Sequence, residues 1–287
     1  MPGYRIGFVI EQILGHVTHD RHLRRRVAED PQIEPEWLPV QPWAADVWQS
    51  LPVIGGNWTL LSGARAAGTV ADARRRGPLD LLYYHTQVPA LGGLPLMRRI
   101  PAVLSLDATP VNMDQMGIAY GHPVGSAPAE AVKRVVYRHL FGQAAHVVAL
   151  SRWVADSLRT DYRVPADKVS VIPPGIDPVR RHRPRLVKRP GAPVRLLFVG
   201  GDFRRKGGSL LLEVLDSLPG ARRWELDVVT REPVDPGGRT WVRLHYGLTP
   251  DCPELAALFA AADLFVLPTL GDALGSRSWR RWRPGCR

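Results

Sequence analysis

The sequence predicts an α/β fold of two parallel-sheet domains, the second of them incomplete. Three observations carry this. Short apolar runs of β-formers alternate with helix-length apolar patterns, the order that builds a parallel sheet. The stretch from Val194 to Gly208, VRLLFVGGDFRRKGG, reads as strand, glycine turn, basic loop and helix start. Between the halves lies PVRRHRPRLVKRPGAP, residues 178–193, Pro- and Arg-rich and without periodicity, which reads as a linker.

The elements follow in order. YRIGFVI, from Tyr4 to Ile10, is a first buried strand, followed by a loop and a polar helix starting near Thr18. Gly15 and His16 occupy the turn after that strand, where a ligand would lie; His16 equally suits a loop histidine that hydrogen-bonds locally. Residues 31–56, with Trp37, Trp43 and Trp48, resist assignment, and Trp58 to Arg76 reads as a helix of small residues. LDLLYY, from Leu79 to Tyr84, is a strand that His85 follows; PAVLSL, from Pro101 to Leu106, is another that Asp107 follows. Ligands of open α/β sheets bind outside the carboxyl ends of the strands, so both residues are acceptor-side candidates. A turn cap (Asp107) and a satisfied buried imidazole (His85) are the alternatives. A helix from Ala127 to Phe141, the strand AHVVAL, a helix capped by Ser151 and the strand KVSVI complete the first half. In the second half ELDVVT, Val242 to His245 and DLFVL are strands, and ELAALFAAA is a helix.

Composition narrows the function. Of 287 residues, 45% are hydrophobic and 23% charged, as in a water-soluble globular protein. No run suits a transmembrane helix, and the N-terminus does not read as a signal peptide. The two cysteines, Cys252 and Cys286, are too few for a disulfide framework and suit a reducing compartment, so a cytoplasmic location is expected. The net charge of +11 favours anionic partners. Five arginines fall in the tail from Ser276 to Arg287, which suggests peripheral contact with an anionic membrane, at the inner surface. Neither a zinc pattern nor an aromatic-rich RNA-binding strand is present, so no nucleic acid is expected.

The glycine turn carries the chemistry. Gly200 and Gly201 let the backbone approach a ligand closely, and the following helix N-terminus presents free N–H groups. Arg204, Arg205 and Lys206 add cations. A diphosphate fits this arrangement; an ordinary βα turn with a solvated basic face fits it equally. A dinucleotide-dependent oxidoreductase would need Gly-x-Gly-x-x-Gly, which GGDFRRKGG lacks. A non-catalytic protein that binds anionic lipid or polymer through the basic tail is the other alternative.

Three segments resemble the retaining glycosyltransferases of GT-B fold grouped as family 4: VVALSRWVADSL…YRVPADKVSVIPPGID, LLFVGGDFRRKGGSLLLEVLDSL and YGLTPDCPELAALFAAADLFVLPTLGDALG. The resemblance implies two Rossmann-like domains: an acceptor-side domain over residues 1–177 and part of a donor-binding domain over 194–275. It also implies sugar transfer from a nucleotide-diphosphate donor to an unknown acceptor (glycan, lipid-linked or small molecule) in the cleft between them, with no cofactor and no metal required. Lys206 stands at the family's lysine position, where it would neutralise the leaving diphosphate. Gly201 occupies the commonest arginine position, so Arg204 or Arg205 must serve, and Arg205, next to Lys206, is the expected second catalytic cation. Asp107 stands where many members carry His. Asp272 stands at the first carboxylate of the family's acidic motif, and Arg280 at the second.

Residues 276–287, SRSWRRWRPGCR, do not resemble the family. One set of permitted codons from Gly275 onward, read from its third base, gives IAFLEAMAAGLP, the continuation family members show, with Glu over Arg280. A frameshift after Gly275 is therefore expected, and the chain as it stands is expected to bind sugar nucleotide weakly or not at all and to turn over little.

Overall fold

The computed structural model describes residues 3–13, 15–41, 46–51, 53–117, 124–175, 191–219, 224–249 and 252–271. Its contacts divide the chain into two compact units, one of Met1–Gln115 with Pro123–Pro174, the other of Met116–His122 with Gly175–Arg287. Most of 178–193, Asp272 and the whole of 276–287 lie outside the described residues.

The first unit holds β1 (Tyr4–Glu11), α1 (His16–Val27), β2 (Ile33–Val40), α2 (Val47–Ser50), α3 (Trp58–Arg76), β3 (Leu81–His85) and α4 (Gln87–Gly93). It continues with β4 (Ala102–Leu106), α5 (Pro110–Gln115), α6 (Ala127–Gln143), β5 (His146–Ala149), α7 (Arg152–Thr160) and β6 (Val169–Val171). Its six strands pair in parallel in the order β2-β1-β3-β4-β5-β6. The order reverses at β1, so a crevice opens between the carboxyl ends of β1 and β3.

Inner strands are short and apolar because helices cover both faces; Leu82, Tyr84, Leu104, Leu106, Val147 and Ala149 are all fully buried. Strand β2 falls in the stretch 31–56, whose sequence pattern predicts no element. Its Pro35 and Pro39 remove two ladder donors, and an edge strand tolerates that. His85 is the last residue of β3 rather than the first after it. Ser151 caps α7, its Oγ accepting from Val154 N at 3.4 Å.

The second unit holds β7 (Val194–Val199), α8 (Gly208–Ser217), β8 (Trp224–Val229), β9 (Val242–His245), α9 (Pro253–Ala261) and β10 (Leu264–Phe265). Its four strands are parallel in the order β10-β7-β8-β9, with the reversal at β7. Leu196, Phe198, Phe203, Leu211, Leu212, Leu226 and Val228 form its core on one face. The fold class is therefore α/β with two parallel sheets. No described helix is long and apolar enough to cross a membrane.

Candidate functional site

In the second unit the glycine turn lies where the strand order reverses. Gly200 N donates to Val229 O at 2.9 Å, which bends the chain off the end of β7. Phe203 then turns inward: its ring packs edge-on to Phe198 at 5.5 Å and lies where a side chain on Gly208 would begin. Phe203 N donates to Glu232 Oε2 at 2.9 Å.

Asp202 caps this loop rather than the helix. Its Oδ1 accepts from Arg205 N and its Oδ2 from Arg205 Nε, both at 2.9 Å. Burial raises the Asp202 pKa, but the Arg205 N–H groups and the Lys206 charge outweigh it and hold the carboxyl below the ordinary range. Arg205 Nη1 reaches Gly271 O at 3.1 Å, and Leu270 N donates to Arg205 O at 2.9 Å. Arg205 thus ties the loop to the segment after β10. Arg204 is exposed. Gly207, at φ +80°, is the N-cap of α8, whose first N–H groups point back toward the turn. Asp272 lies just beyond the described residues.

In the first unit the reversal point holds a compact cluster of ionisable groups. Glu11 ends β1, is 1% exposed, and accepts from Ser62 Oγ at 2.7 Å and from Thr86 Oγ1 at 3.4 Å. Gly15 caps α1 with open space beside it and delivers His16. His16 stands between two carboxylates, Nδ1 3.8 Å from Glu11 Oε2 and Nε2 3.9 Å from Asp107 Oδ2. These are ion-pair separations rather than hydrogen bonds. His85 lies beneath, 2% exposed, edge-on to His16 at 4.8 Å and stacked on His19 at 4.1 Å. His19 Nε2 also meets the Tyr83 hydroxyl at 3.2 Å.

Four of the cluster's histidine and carboxylate groups are driven apart in pKa. Burial pushes Glu11 up, against the pull of Ser62, His16 and Thr86. Burial lowers His16, but the Asp107 and Glu11 carboxylates more than reverse this and hold it above the ordinary range. Burial lowers His19, helped by His16. Burial and the charges of His19 and His16 hold His85 well below the ordinary range. The Nδ1 atoms of His16 and His85 have no hydrogen-bond partner among the described residues. The cluster has a buried floor of Glu11, Ser62 and His85 and a partly exposed rim of His16 and Asp107.

The structure therefore brings Gly15, His16, His85 and Asp107 together in one unit, and Gly200, Gly201, Arg205 and Lys206 in the other. Sequence reasoning missed Glu11, His19, Ser62 and Glu232 as members. A carboxylate closing a buried apolar strand was the one available signal for Glu11. No group of three or more potential metal ligands occurs among the described residues.

Two parallel sheets, each with ligand-type residues at its reversal point, define a Rossmann-like pair of the GT-B kind. A sucrose-phosphate synthase from Thermosynechococcus elongatus shares this fold with a TM-score of 0.69 at 14% identity, over 96% of this chain and 77% of that one. The sequence profile described as Glycosyltransferase Family 4 matches residues 25–180, and the chain belongs to that family. A D-inositol 3-phosphate glycosyltransferase of Arthrobacter sp. (strain FB24) is 26% identical over 232 residues, 72% of this chain and 52% of that protein. One from Paenarthrobacter aurescens (strain TC1) is 26% identical over 236 residues, 69% of this chain and 52% of that protein. The chain spans about half the length of these curated relatives.

Proposed function

We propose that this family 4 protein belongs to a glycosyl transfer that moves a sugar, with retention, from a nucleotide-diphosphate donor to an acceptor hydroxyl. The observation that carries this is the glycine turn at the reversal point of the second sheet, with the base of the Lys206 side chain beside Gly200 and the α8 N-terminus following it. The bond between the anomeric carbon and the diphosphate breaks as the acceptor oxygen bonds to that carbon. Negative charge builds on the departing diphosphate. Cations and N–H groups already aimed at that charge stabilise the transition state without reorganising. The cations belong to the chain, so the reading asks for no cofactor.

The acceptor side is proposed for the first unit, at the rim of His16 and Asp107. A carboxylate accepts hydrogen bonds from hydroxyls, and the Asp107 and Glu11 carboxylates beside His16 favour its protonated form. The matched relatives are named for a phosphorylated polyol acceptor, and a rim of one histidine and one carboxylate suits an acceptor with both hydroxyls and an anionic group.

Residues 276–287 are proposed to be an out-of-frame translation; the nucleotide sequence across codon 275 decides this. Turnover is then tested in both the 287-residue chain and the chain with its reading frame restored after Gly275, with a panel of sugar nucleotides and mass detection of product. The in-frame chain is expected to transfer sugar, and Lys206→Ala to lower kcat by about 100- to 1,000-fold, the loss seen for a removed oxyanion donor. Unchanged turnover in that variant removes Lys206 from the mechanism.

A further inference from the structure

Each glycine of the turn is closely covered, Gly200 by the Phe198 ring and the first carbon of the Lys206 side chain, Gly201 by a guanidinium. A Cβ on Gly200 would lie 2.9 Å from the Cβ of Lys206. A Cβ on Gly201 would lie 2.7 Å from both Nε and Nη2 of Arg231 and 3.1 Å from its Cζ. The Arg231 guanidinium thus occupies the volume from which a side chain at 201 would start. Only glycine at 201 leaves it there.

The placement is built from both sides. Arg231 follows the end of β8 by two residues. On one side Thr230 is buried, and its N–H donates to His245 O at 3.2 Å. On the other, the Glu232 carboxylate holds Phe203 N at 2.9 Å, inside the turn itself. The backbone at 231 is therefore pinned to β9 and to the loop, and the side chain between them crosses Gly201. Among the described residues no carboxylate, carbonyl or hydroxyl pairs with the Arg231 guanidinium. Arg205 differs: its Nε is held by Asp202 and its Nη1 by Gly271 O. A guanidinium offers a planar fork that meets two phosphate oxygens, and Lys206 offers a point charge.

We infer that Arg231 is the second cation of the donor diphosphate site, reaching it from the end of β8 across Gly201, while Arg205 braces the loop. This rests on the donor-site reading above. The assignment makes Gly201 a positioning residue. Its backbone needs no left-handed conformation, so Gly201→Ala leaves the fold intact and displaces only the flexible end of Arg231.

The test titrates the full chain with UDP and GDP, and with the matching monophosphates, by ligand-observed NMR. The glycine turn and its cations are present in the parent chain, which is therefore expected to bind the diphosphates weakly, yet in preference to the monophosphates. Arg231→Gln and Gly201→Ala are each expected to weaken diphosphate binding by roughly 10- to 100-fold, the loss for a charge-assisted contact, with a smaller effect on monophosphates. Arg231→Lys is expected to keep part of the affinity. Gly201→Ala gives the same answer should Arg231→Gln fail to fold. Full diphosphate affinity in both variants, with loss in Lys206→Ala, overturns the role of Arg231 and leaves the donor site standing. No preference for diphosphate in the parent chain overturns the donor site, and this assignment with it.

Discussion

Gly207 is held at φ +80°, and a Cβ there would lie 2.0 Å from the carbonyl oxygen of Pro268. An alanine would meet both a left-handed backbone, costing about 1–2 kcal/mol, and a backbone atom that cannot swing aside. Gly207→Ala is expected to destabilise the second unit by at least about 2 kcal/mol, read as a lower denaturation midpoint. Wild-type stability would show that the segment after β10 gives way freely. Asp107 makes a second residue-scale case. It is the leading raising influence on His16, ahead of Glu11. In Asp107→Asn the His16 ring is expected to titrate at lower pH, followed by the NMR shift of its carbon-bound ring protons. An unmoved titration would mean that Glu11 alone sets the His16 charge.

Elements place these residues by shared strand ends. Strands β1 and β3 end side by side, Ile10 beside His85, so Glu11 and Thr86 meet one step further on. In the second unit β10 pairs with β7 through Leu264–Leu196 and Phe265–Leu197, which carries residues 268–271 past the glycine turn. Arg205 fastens that junction through Asp202, Gly271 O and its own carbonyl. Arg205→Met keeps the apolar stem and removes the fork. It is expected to cost about 1–3 kcal/mol of second-unit stability, since the buried Gly271 carbonyl and the half-exposed Asp202 lose a charged donor. Limited proteolysis is expected to open near 269–271 first. Full stability combined with loss of diphosphate binding would instead make Arg205 a ligand of the donor.

At the scale of the molecule, acid is a test of the first unit. His85 and His19 titrate below the ordinary imidazole value in the folded chain, so unfolding takes up protons once pH falls under about 6.5. Their stability is fully present above that pH and declines below it, by about 1.4 kcal/mol per pH unit for each group at most. His16 and Glu11 act in the opposite direction. Their folded pKa values are raised, so their contribution is largest at low pH and is lost as pH rises through the folded value. A single variant separates the two. His85→Phe keeps a ring of similar size and cannot titrate, and its melting temperature is expected to fall less between pH 7.5 and 5.5 than that of the parent. Parallel melting curves would show that His85 protonates as readily folded as unfolded.

The sequence by itself determined the fold class, because buried parallel strands must be apolar throughout and the helices between them must show one apolar stripe. It placed the helix Trp58–Arg76 and the strand Val242–His245 at their observed bounds. It also marked the glycine turn, since a strand that ends in two glycines before a basic loop is a local pattern. It did not show β2, whose Pro35 and Pro39 argue against a strand until the edge position is known, nor α4, where Pro89, Gly92 and Gly93 hide the helix. The partners at each site were decided only by tertiary structure. Glu11 and Ser62 lie 51 residues apart and Thr86 lies 75 from Glu11, distances over which no periodicity carries information. Arg231 meets Gly201 for the same reason. Parallel pairing of β7 and β8 brings two remote strand ends together, and a cation arrives where the local sequence has no side chain at all.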